Sequence, residues 1–509
     1  MNAPDHDIAS TAGRQRATAA ALHAQLRAAL YSVLKPHCLL FDEEDTRPYE
    51  CDGLTAYRQL PLAVALPENE AQVAAVLRVC SALRVPIVPR GAGTGLSGGA
   101  LPVADGIVLS TARLNRIVAV DAHARTATVQ PGVRNAAISE AAAGHGLYYA
   151  PDPSSQIACT IGGNIAENSG GVHCLKYGLT LHNVLRVRMI DATGGIVELG
   201  SGAPDAPGLD LLAVFVGSEG MLGVVTEATV KLVPKPPQAR VIMASFDSVV
   251  RGADAVASVI SAGIIPAGLE MMDRTSVRMV EPFVRAGYDT EAAAILLCES
   301  DGLPEEVDEE IARMSAVLAQ SGATAIAVSR DEAERLRFWS GRKNAFPAAG
   351  RISPDYYCMD GTIPRRRLAG VLTGIDALAL EYGLRCANVF HAGDGNLHPL
   401  ILFDANVPGE FSRAERFGEA ILALCVAAGG TITGEHGVGI EKLDSMCEQF
   451  TIAEIAAFIA VKRAFDPARQ LNPDKAIPTL DRCAQYGKRK VEAGLFRFAR
   501  LPADQFVKE

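Results

Sequence analysis

A glycine-rich loop at residues 93–98 (GTGLSG) lies between two predicted strands, and this position limits the folds open to the chain. The spacing matches the G-x-G-x-x-G of Rossmann folds, but that fold needs a helix directly after the loop to receive a pyrophosphate. Here residues 100–102 (ALP) lead into another strand, and a predicted helix precedes the loop instead. We therefore predict a nest of backbone N–H groups at a strand-to-strand turn. Arg90 either adds a positive charge to this nest or is merely exposed.

Two more clusters rich in glycine follow in the same half of the chain. Residues 160–171 (TIGGNIAENSGG) come shortly after residues 151–155 (PDPSS), and residues 217–223 (GSEGMLG) precede a predicted strand at 224–230. Each cluster alone is explained by tight turns between short strands. Three of them together indicate a main chain wrapped along an extended cofactor, because glycine lets a ligand approach the backbone closely.

The length of 509 residues is too great for one hydrophobic core. Short α/β units run to a proline-rich linker at 234–237 (PKPP), and a second α/β region follows it. We predict an α+β chain with a helical lead-in over residues 1–55, whose helix covers 14–35, and a cofactor domain over 56–235. A second domain with an antiparallel sheet covers 236–478, and 479–509 form a tail without a clear pattern.

Composition excludes several classes of function. A formal charge of −10 argues against nucleic-acid binding, because no basic surface is available to neutralise phosphates. The eleven cysteines are scattered with no C-x-x-C, so neither an iron–sulfur cluster nor a cysteine zinc site is predicted, and most thiols are expected to be reduced. The polar N-terminus and the lack of a long apolar run predict neither a signal peptide nor a transmembrane helix. We expect a cytoplasmic protein.

Residues 391–398 (HAGDGNLH) predict a metal site on a β-hairpin. Asp394 and Gly395 form a strong two-residue hairpin signal between strand-like segments at 385–390 and 400–403. With that turn, His391 lies directly opposite His398, about 5 Å away between Cβ atoms. Two imidazoles at that separation can bind one metal ion, although a hairpin with two ordinary histidines has the same sequence.

Residues 434–437 (GEHG), after a predicted strand at 430–433, offer a carboxylate as the third ligand. Two neutral imidazoles and a carboxylate leave open positions on a divalent ion, as in catalytic sites. His436 is then the natural base, because imidazole titrates near working pH. Adjacent residues on a regular strand point in opposite directions, so Glu435 and His436 converge only if the glycines bend the chain. Otherwise Glu435 caps a helix and His436 is solvated.

These segments together resemble the vanillyl-alcohol-oxidase-type family of FAD-linked oxidases, over roughly residues 40–480. The two histidine-containing motifs are shared with its D-2-hydroxyacid dehydrogenase branch. The resemblance is strongest to flavin-binding subunits of bacterial glycolate oxidases, through residues 149–155 (YAPDPSS), 171–178 (GVHCLKYG) and 356–364 (YYCMDGTIP).

The resemblance implies a two-subdomain FAD-binding domain of the PCMH type and a cap domain that carries substrate and metal. His391, His398 and Glu435 would be ligands of a divalent ion, most simply Zn. His436 would be the base, Arg342 would bind the substrate carboxylate, and hydride would pass from the α-carbon to flavin N5. The residues implied to contact FAD are Arg90, Gly91, Gly93, Thr94, Gly95, Leu96, Ser97, Gly98, Pro151, Asp152, Thr160, Gly162, Gly163, Asn164, Asn168, Gly170, Gly171, Gly223, Val224 and Asn472.

Departures from the family pattern predict how the flavin is held and which substrate fits. Relatives with covalent FAD carry a histidine where this chain has Thr94, so we expect dissociable FAD. Relatives acting on 2-hydroxyglutarate carry polar residues at the positions of Phe346, Cys358 and Leu400. Without those groups a distal carboxylate would lack partners, at a free-energy cost, so we expect a small monoacid: glycolate first and D-lactate second.

The resemblance also implies partners, because this chain lacks a cluster motif to take electrons from reduced flavin. We expect a second FAD-binding subunit and an iron–sulfur subunit in a glycolate oxidase complex, cytoplasmic or peripheral to the inner membrane. A standalone D-lactate dehydrogenase is the near alternative. A non-catalytic FAD-binding scaffold and an ether-lipid synthase of the same superfamily are less consistent with the intact metal-site motif.

Overall fold

The computed structural model describes residues 20–203 and 208–492, which form three large sheets and one two-stranded sheet. Residues 20–31 are helical, and the part of the predicted 14–35 helix before residue 20 lies outside the described residues. Across both described ranges, no helix is long and apolar enough to cross a membrane.

The first sheet contains β1 (Leu39–Leu40), β2 (Ala63–Ala65), β3 (Ile87–Arg90) and β4 (Ile107–Ser110), in the order β1-β2-β4-β3. Strand β4 runs parallel to β2 and β3, so the chain must cross over between β2 and β3, and the helix Glu70–Leu83 does so. Asn69 caps that helix by accepting a hydrogen bond from the Gln72 amide. The glycine loop joins β3 to β4 without a helix, as predicted.

The second sheet is antiparallel, and its strands have the order β5-β6-β10-β8-β9. A separate pair joins β7 to β11. The strands of this region are β5 (Ile117–Asp121), β6 (Thr126–Val129), β7 (Leu147–Tyr148), β8 (Val184–Ile190), β9 (Ile196–Gly200), β10 (Val224–Lys231) and β11 (Val233–Pro234). Its helices are Asn135–Ala142, Ile161–Glu167, Cys174–Tyr177, Thr180–Asn183 and Leu211–Phe215, and the short helix Glu43–Thr46 precedes β2.

The third sheet has seven antiparallel strands in the order β15-β12-β14-β13-β17-β18-β16. They are β12 (Gln238–Phe246), β13 (Gly268–Asp273), β14 (Ala294–Gly302), β15 (Ala325–Val328), β16 (Asp355–Cys358), β17 (Arg385–Phe390) and β18 (Pro399–Phe403). Helices cover both faces, so Leu296 and Cys298 of β14 pack in one apolar cluster and Ile295 and Leu297 in another. Burial on both faces explains why the first five residues of β14 (AILLC) are all apolar rather than alternating.

The helices around this sheet are Val249–Ser261, Arg274–Val284, Pro304–Gln320, Glu332–Lys343, Ala345–Ala349, Leu368–Tyr382, Glu410–Ala427, Leu443–Gln449 and Ile452–Phe465. After them the chain returns to the first sheet. The Ile87 amide donates to Gln470 O at 2.8 Å, and the Asn472 amide donates to Ile87 O at 2.7 Å. Residues 470–472 therefore extend the β3 edge, next to the glycine loop.

Two local predictions are wrong. The segment 430–433 is not a strand, because only Thr431 forms an isolated bridge, to Thr362. The segment after residue 478 is not patternless either, since Leu480–Glu492 is a helix that a Cys447–Cys483 disulfide ties to the helix Leu443–Gln449. The remaining nine cysteines are free, in line with the expectation of mostly reduced thiols. The domain boundaries at 55, 235 and 478 stay predictions.

Candidate active site

The hairpin that carries the two histidines has a different register from the predicted one. His391 pairs with Asn396 and the Val389 amide donates to His398 O, so His391 is not directly opposite His398. The physical reason is a four-residue connection over 392–395, closed by a hydrogen bond from the Gly395 amide to His391 O. Gly395 has φ +77°, which suits glycine.

The register shift is two residues, and it leaves both imidazoles on one face. Because side chains along a strand alternate between the two faces of the sheet, a shift of two residues leaves both histidines on the same face. It changes them from directly opposed residues into diagonal neighbours. The ring centroids of His391 and His398 are 5.0 Å apart, and both side chains are buried.

Glu435 completes a cluster of three possible ligands. Its Oε1 lies 3.1 Å from His391 Nε2 and 3.0 Å from His398 Nε2. One ligand atom from each residue lies within 4.8 Å of the others. The sequence-predicted ligand residues therefore meet in the folded chain, although Glu435 lies 37 positions after His398 in the sequence.

The loop that carries Glu435 and His436 is bent around a buried carboxylate. The backbone amides of Gly434, Glu435 and His436 all donate to Asp360, at 3.1, 3.2 and 2.8 Å. Lys442 Nζ lies 3.3 Å from the same carboxylate. This nest replaces the predicted strand and lets neighbouring side chains converge, so Glu435 caps no helix and His436 is largely buried.

Glu270 fixes the orientation of His391. Its Oε1 accepts from His391 Nδ1 at 2.7 Å, which leaves Nε2 directed to Glu435, and its Oε2 accepts from Arg342 Nε at 2.5 Å. Burial lowers the pKa of His391, but the carboxylates of Glu270 and Glu435 outweigh it and raise that pKa to about 10. A bound cation would replace that proton, because metal ligation needs a neutral imidazole.

His436 has the opposite electrostatic character. Burial lowers the pKa of His436 to about 4, against the attraction of Asp360. The ring stacks on His398 with centroids 4.8 Å apart, and its Nδ1 has no hydrogen-bond partner among the described residues. At neutral pH His436 is therefore a neutral imidazole with a free nitrogen, as a proton acceptor must be.

The three ligand residues fit a divalent metal ion. Both ring nitrogens of His398 are buried, and neither has a hydrogen-bond partner in the described part of the chain, since the contact to Glu435 is close but poorly angled. Buried polar atoms without partners are uncommon and need an explanation. Two imidazoles and one carboxylate are the donor set of open catalytic sites, and an ion would satisfy the unpartnered nitrogen.

A cavity of about 520 Å³ adjoins this cluster, and His398, Glu435 and His436 line one end of it. All three glycine clusters contribute residues to its wall. The predicted flavin contacts that line it are Arg90, Gly91, Gly93, Thr94, Gly95, Leu96, Thr160, Gly162, Gly163, Asn164, Gly223 and Val224.

The other eight predicted contacts are not in that wall. Gly170 and Gly171 line a second cavity, described below. Asn472 Nδ2 donates to Gly99 O and Glu219 O. Ser97 O accepts from the amides of residues 440 and 441. Both residues therefore stabilise the segments that form the wall. The remaining positions are Gly98, Pro151, Asp152 and Asn168.

The backbone of the first glycine loop is shaped to approach a ligand closely. Gly93 has φ +72°, and a Cβ there would clash with the Arg90 guanidinium beneath it. Arg90 is not exposed: it is 8% accessible, donates to Cys51 O at 2.7 Å and packs over Tyr49. A long glycine-lined cavity of this kind fits an extended dinucleotide such as FAD.

Of the residues proposed to select the substrate, Phe346 lines the cavity, whereas Cys358, Leu400 and Arg342 do not. Phe346 lines the wall and packs edge-on against Tyr356, with centroids 5.7 Å apart. Cys358 and Leu400 are buried and directly paired across β16 and β18. Arg342 is 1% exposed, held by Glu270 and 3.3 Å from His391, while the cavity wall contains its neighbour Lys343. Its role toward a substrate stays a prediction.

Residues 61–200 match the family of FAD binding domains, and residues 235–476 match the C-terminal domain of FAD linked oxidases. The glycolate oxidase subunit GlcD of Escherichia coli (strain K12) is 62% identical over 463 residues, covering 91% of this chain and 93% of that protein. The chain belongs to the FAD-linked oxidase family. Its cofactor is FAD, and the expectation of a flavin-dependent oxidoreductase is confirmed.

More distant relatives agree with this assignment. A D-lactate dehydrogenase of Anaerostipes hadrus is 31% identical over 458 residues, covering 87% of this chain and 96% of that protein. The structure of p-cresol methylhydroxylase superposes with a TM-score of 0.76 over 91% of this chain and 98% of that one, at 18% identity. That of alkyldihydroxyacetonephosphate synthase gives 0.70 over 88% and 84%, also at 18%. These two structures confirm the predicted α+β fold, with its PCMH-type flavin domain, and nothing beyond it.

Sequence reasoning missed Glu270 and Asp360, which orient the ligands. A signal for Glu270 existed, since it is a lone charge in the apolar run of β13. Asp360 lies in the motif at 356–364, but nothing in that motif connects it to residues 434–436. Both act through contacts between segments far apart in sequence.

Proposed function

We propose that this FAD-linked oxidase oxidises a small 2-hydroxy acid to the 2-oxo acid, with glycolate to glyoxylate as the preferred reaction. The observation that carries the proposal is the cluster of His391, His398 and Glu435 at the end of the flavin cavity, with neutral His436 beside it. A divalent ion, most simply Zn, would be held by those three residues. The domain organisation follows the boundaries expected from the sequence.

Bound FAD supplies a hydride acceptor, and a bound divalent ion supplies a Lewis acid that acidifies the substrate hydroxyl. His436 accepts that hydroxyl proton, because its buried imidazole is neutral at working pH. Glu270 keeps His391 in the orientation that presents Nε2 to the ion. Asp360 holds the loop of Glu435 and His436 in its bent form.

The substrate carboxylate needs a cation near the cluster. Arg342 is the family's residue for this role, and a guanidinium can hold a carboxylate through two hydrogen bonds. Since Arg342 is engaged by Glu270, it would reach a substrate only by exchanging part of that contact. Lys343, exposed and in the cavity wall, is an alternative cation for the same role.

The apolar end of the cavity supports a small monoacid. Phe346 lies in the cavity wall and packs against the apolar cluster that contains Cys358 and Leu400. None of the three offers a charged or strong donor to a second carboxylate, which would be left without partners. Glycolate has no distal group to place there, and the relative with the higher identity is named for its oxidation. D-lactate is the second candidate, because a methyl group suits an apolar wall and another relative is a D-lactate dehydrogenase.

Reduced flavin must pass its electrons on, and this chain has no C-x-x-C to hold an iron–sulfur cluster. We propose an assembly with a second FAD-binding subunit and an iron–sulfur subunit, cytoplasmic or attached peripherally to the inner membrane. The name of the Escherichia coli relative, a glycolate oxidase subunit, supports an assembly. Because Thr94 occupies the position of the flavin-linking histidine, the FAD is non-covalent and should be released by acid precipitation.

The test is the visible spectrum of the purified FAD-loaded chain, recorded without oxygen before and after glycolate is added. We expect the band of oxidised flavin to bleach, D-lactate to act more slowly, and 2-hydroxyglutarate to act least. Prior treatment with a metal chelator should abolish bleaching and leave FAD bound. A flavin that no 2-hydroxy acid reduces would contradict the proposal and favour a scaffold role.

A further inference from the structure

A second cavity, of about 650 Å³, reaches the metal cluster from another side. Its inner end includes His391 and Glu435, and Glu435 also lines the flavin cavity. His398 and His436 line only the flavin cavity. The two cavities therefore meet at Glu435 and approach the ligand cluster from different sides.

Arginines are the permanently charged side chains at the exposed outer end of the second cavity, and the two carboxylates that line it, Asp394 and Glu435, lie near His391 at the inner end. Exposed His182, Ser261 and Arg366 line the outer end, together with partly exposed Arg365. Arg365 Nη1 donates to Gly393 O at 2.9 Å, which anchors it to the histidine hairpin. Arg366 forms no hydrogen bond or ion pair with any described residue, so its charge faces solvent uncompensated.

A bound cofactor makes a separate route necessary. FAD would cover the glycine-lined wall that leads to His436, yet substrate and product must exchange at every turnover. The second cavity holds many times the roughly 30 Å³ that one water molecule occupies in the liquid, so a two- or three-carbon acid fits easily. A positive charge at the mouth of a cleft attracts an anion from solution and raises its association rate.

We propose that the second cavity is the passage for the small 2-hydroxy carboxylate and its 2-oxo product, and that Arg366 at its mouth attracts the anion. The inference rests on the proposed function and adds the route to it. Arg366 affects the association of the anion and not the reaction itself. Its loss therefore lowers the association rate without changing the rate of the reaction at the cluster.

The chain offers matched variants for a test. Arg366→Glu and Arg367→Glu change the net charge equally and alter adjacent exposed residues of one short 3-10 helix, but only Arg366 lines the cavity. Ser261→Trp narrows the mouth, whereas Val250→Trp adds the same bulk at another exposed position of the same helix. Lys343→Glu alters the exposed edge of the flavin cavity instead.

The measurement is the anaerobic rate of flavin reduction by glycolate in the FAD- and metal-loaded protein. For Arg366→Glu we expect a second-order rate constant about tenfold lower at low salt, a smaller deficit at high salt, and an unchanged rate at saturating glycolate. Ser261→Trp should also lower the second-order constant, whereas Arg367→Glu and Val250→Trp should stay near wild type. An unchanged flavin spectrum would establish that each variant is folded.

Methoxyacetate gives a readout without turnover, because it has no hydroxyl proton to lose. Its association rate, followed by perturbation of the flavin spectrum, should decrease in the same variants. Equal effects of Arg366→Glu and Arg367→Glu, or slowing by Lys343→Glu alone, would overturn the inference. Failure of every 2-hydroxy acid to reduce the wild-type flavin would instead overturn the proposed function.

Discussion

The cavity proposed to bind FAD adjoins the cluster of His391, His398 and Glu435, but the two are formed by different kinds of residues. Eight glycines lie in the cavity wall, whereas the cluster consists of buried or nearly buried ionisable side chains. Main chain exposed at glycines can bind phosphate groups and fit closely around a ligand, so binding there depends on backbone conformation. A side-chain cluster recognises charge, and its function depends on partners contributed by distant strands. Substitutions in the glycine loops should therefore weaken FAD binding, whereas substitutions in the cluster should reduce flavin reduction and metal binding.

The largest separation is expected for His398→Ala. It removes a proposed metal ligand that contacts both Glu435 and His436, so reduction of the flavin by glycolate should fall to background while the FAD content stays at wild type. Stopped-flow reduction and the flavin spectrum measure the two effects. His123→Ala, in an exposed turn, is the control, and loss of FAD in His398→Ala would contradict the separation.

Glu270→Gln tests whether the cluster depends on its supporting contacts. The amide cannot accept from both His391 and Arg342 as the carboxylate does. Metal affinity or activity should fall about 10- to 100-fold, with FAD retained. Metal content after dialysis and the rate of flavin reduction measure this, and Glu291→Gln at an exposed carboxylate is the control. An effect no larger than that control would show that the contact is dispensable.

Gly93→Ala should impair FAD binding and leave the metal-binding residues intact. The new Cβ meets Arg90, and a left-handed φ costs about 1–2 kcal/mol for a residue other than glycine. We expect weaker FAD binding with metal content unchanged, measured by titration of the apoprotein with FAD. Gly144→Ala is a suitable control, since open space surrounds that position. Unchanged FAD affinity would mean that the loop adapts.

The smallest effect on the reaction is expected at a charge pair between the flavin and cap regions, which should affect stability instead. Glu299 accepts from His173 at 3.2 Å and from Arg335 at 2.7 Å, and it is 2% exposed. Burial raises the pKa of Glu299, but His173 and Arg335 outweigh it and lower the pKa to about 2.

Because that folded-state pKa lies below the ordinary value of 4.5, the stabilisation is complete above pH 4.5 and is lost as the pH falls toward 2. It amounts to about 3 kcal/mol. Glu299→Gln should therefore lower the free energy of unfolding at pH 7 and flatten its decrease below pH 4.5, measured by denaturant titration at several pH values. An equally steep acid limb in the variant would contradict this assignment.

The two regions also differ in how far the sequence could predict them. The glycine loops are local: each motif sets its own turn, so the strand-to-strand loop at 93–98 was predicted correctly. The hairpin register failed because the Gly395 amide bonds to His391 O and lengthens the connection. The prediction that both imidazoles lie on one face still held, since a two-residue shift preserves it.

What the sequence could not predict depends on contacts across the fold. Glu270 meets His391 only because β13 pairs with β17, and Asp360 reaches residues 434–436 through a loop with no regular hydrogen-bond pattern. Arg342 was identified by motif, but its burial against Glu270 follows from the packing of the helix Glu332–Lys343. Local patterns specify turns, and side-chain partners follow from the tertiary arrangement.

The return of residues 470–472 to β3 has a consequence for biosynthesis. Ile87 and Leu471 form a bridge although they lie 384 positions apart in the sequence. The β3 edge of the first sheet therefore stays unpaired while the residues between them are translated. Pairing across so large a separation is slow, and an unpaired edge invites aggregation. A nascent chain of this protein should therefore depend on chaperone protection until its last strand partner emerges from the ribosome.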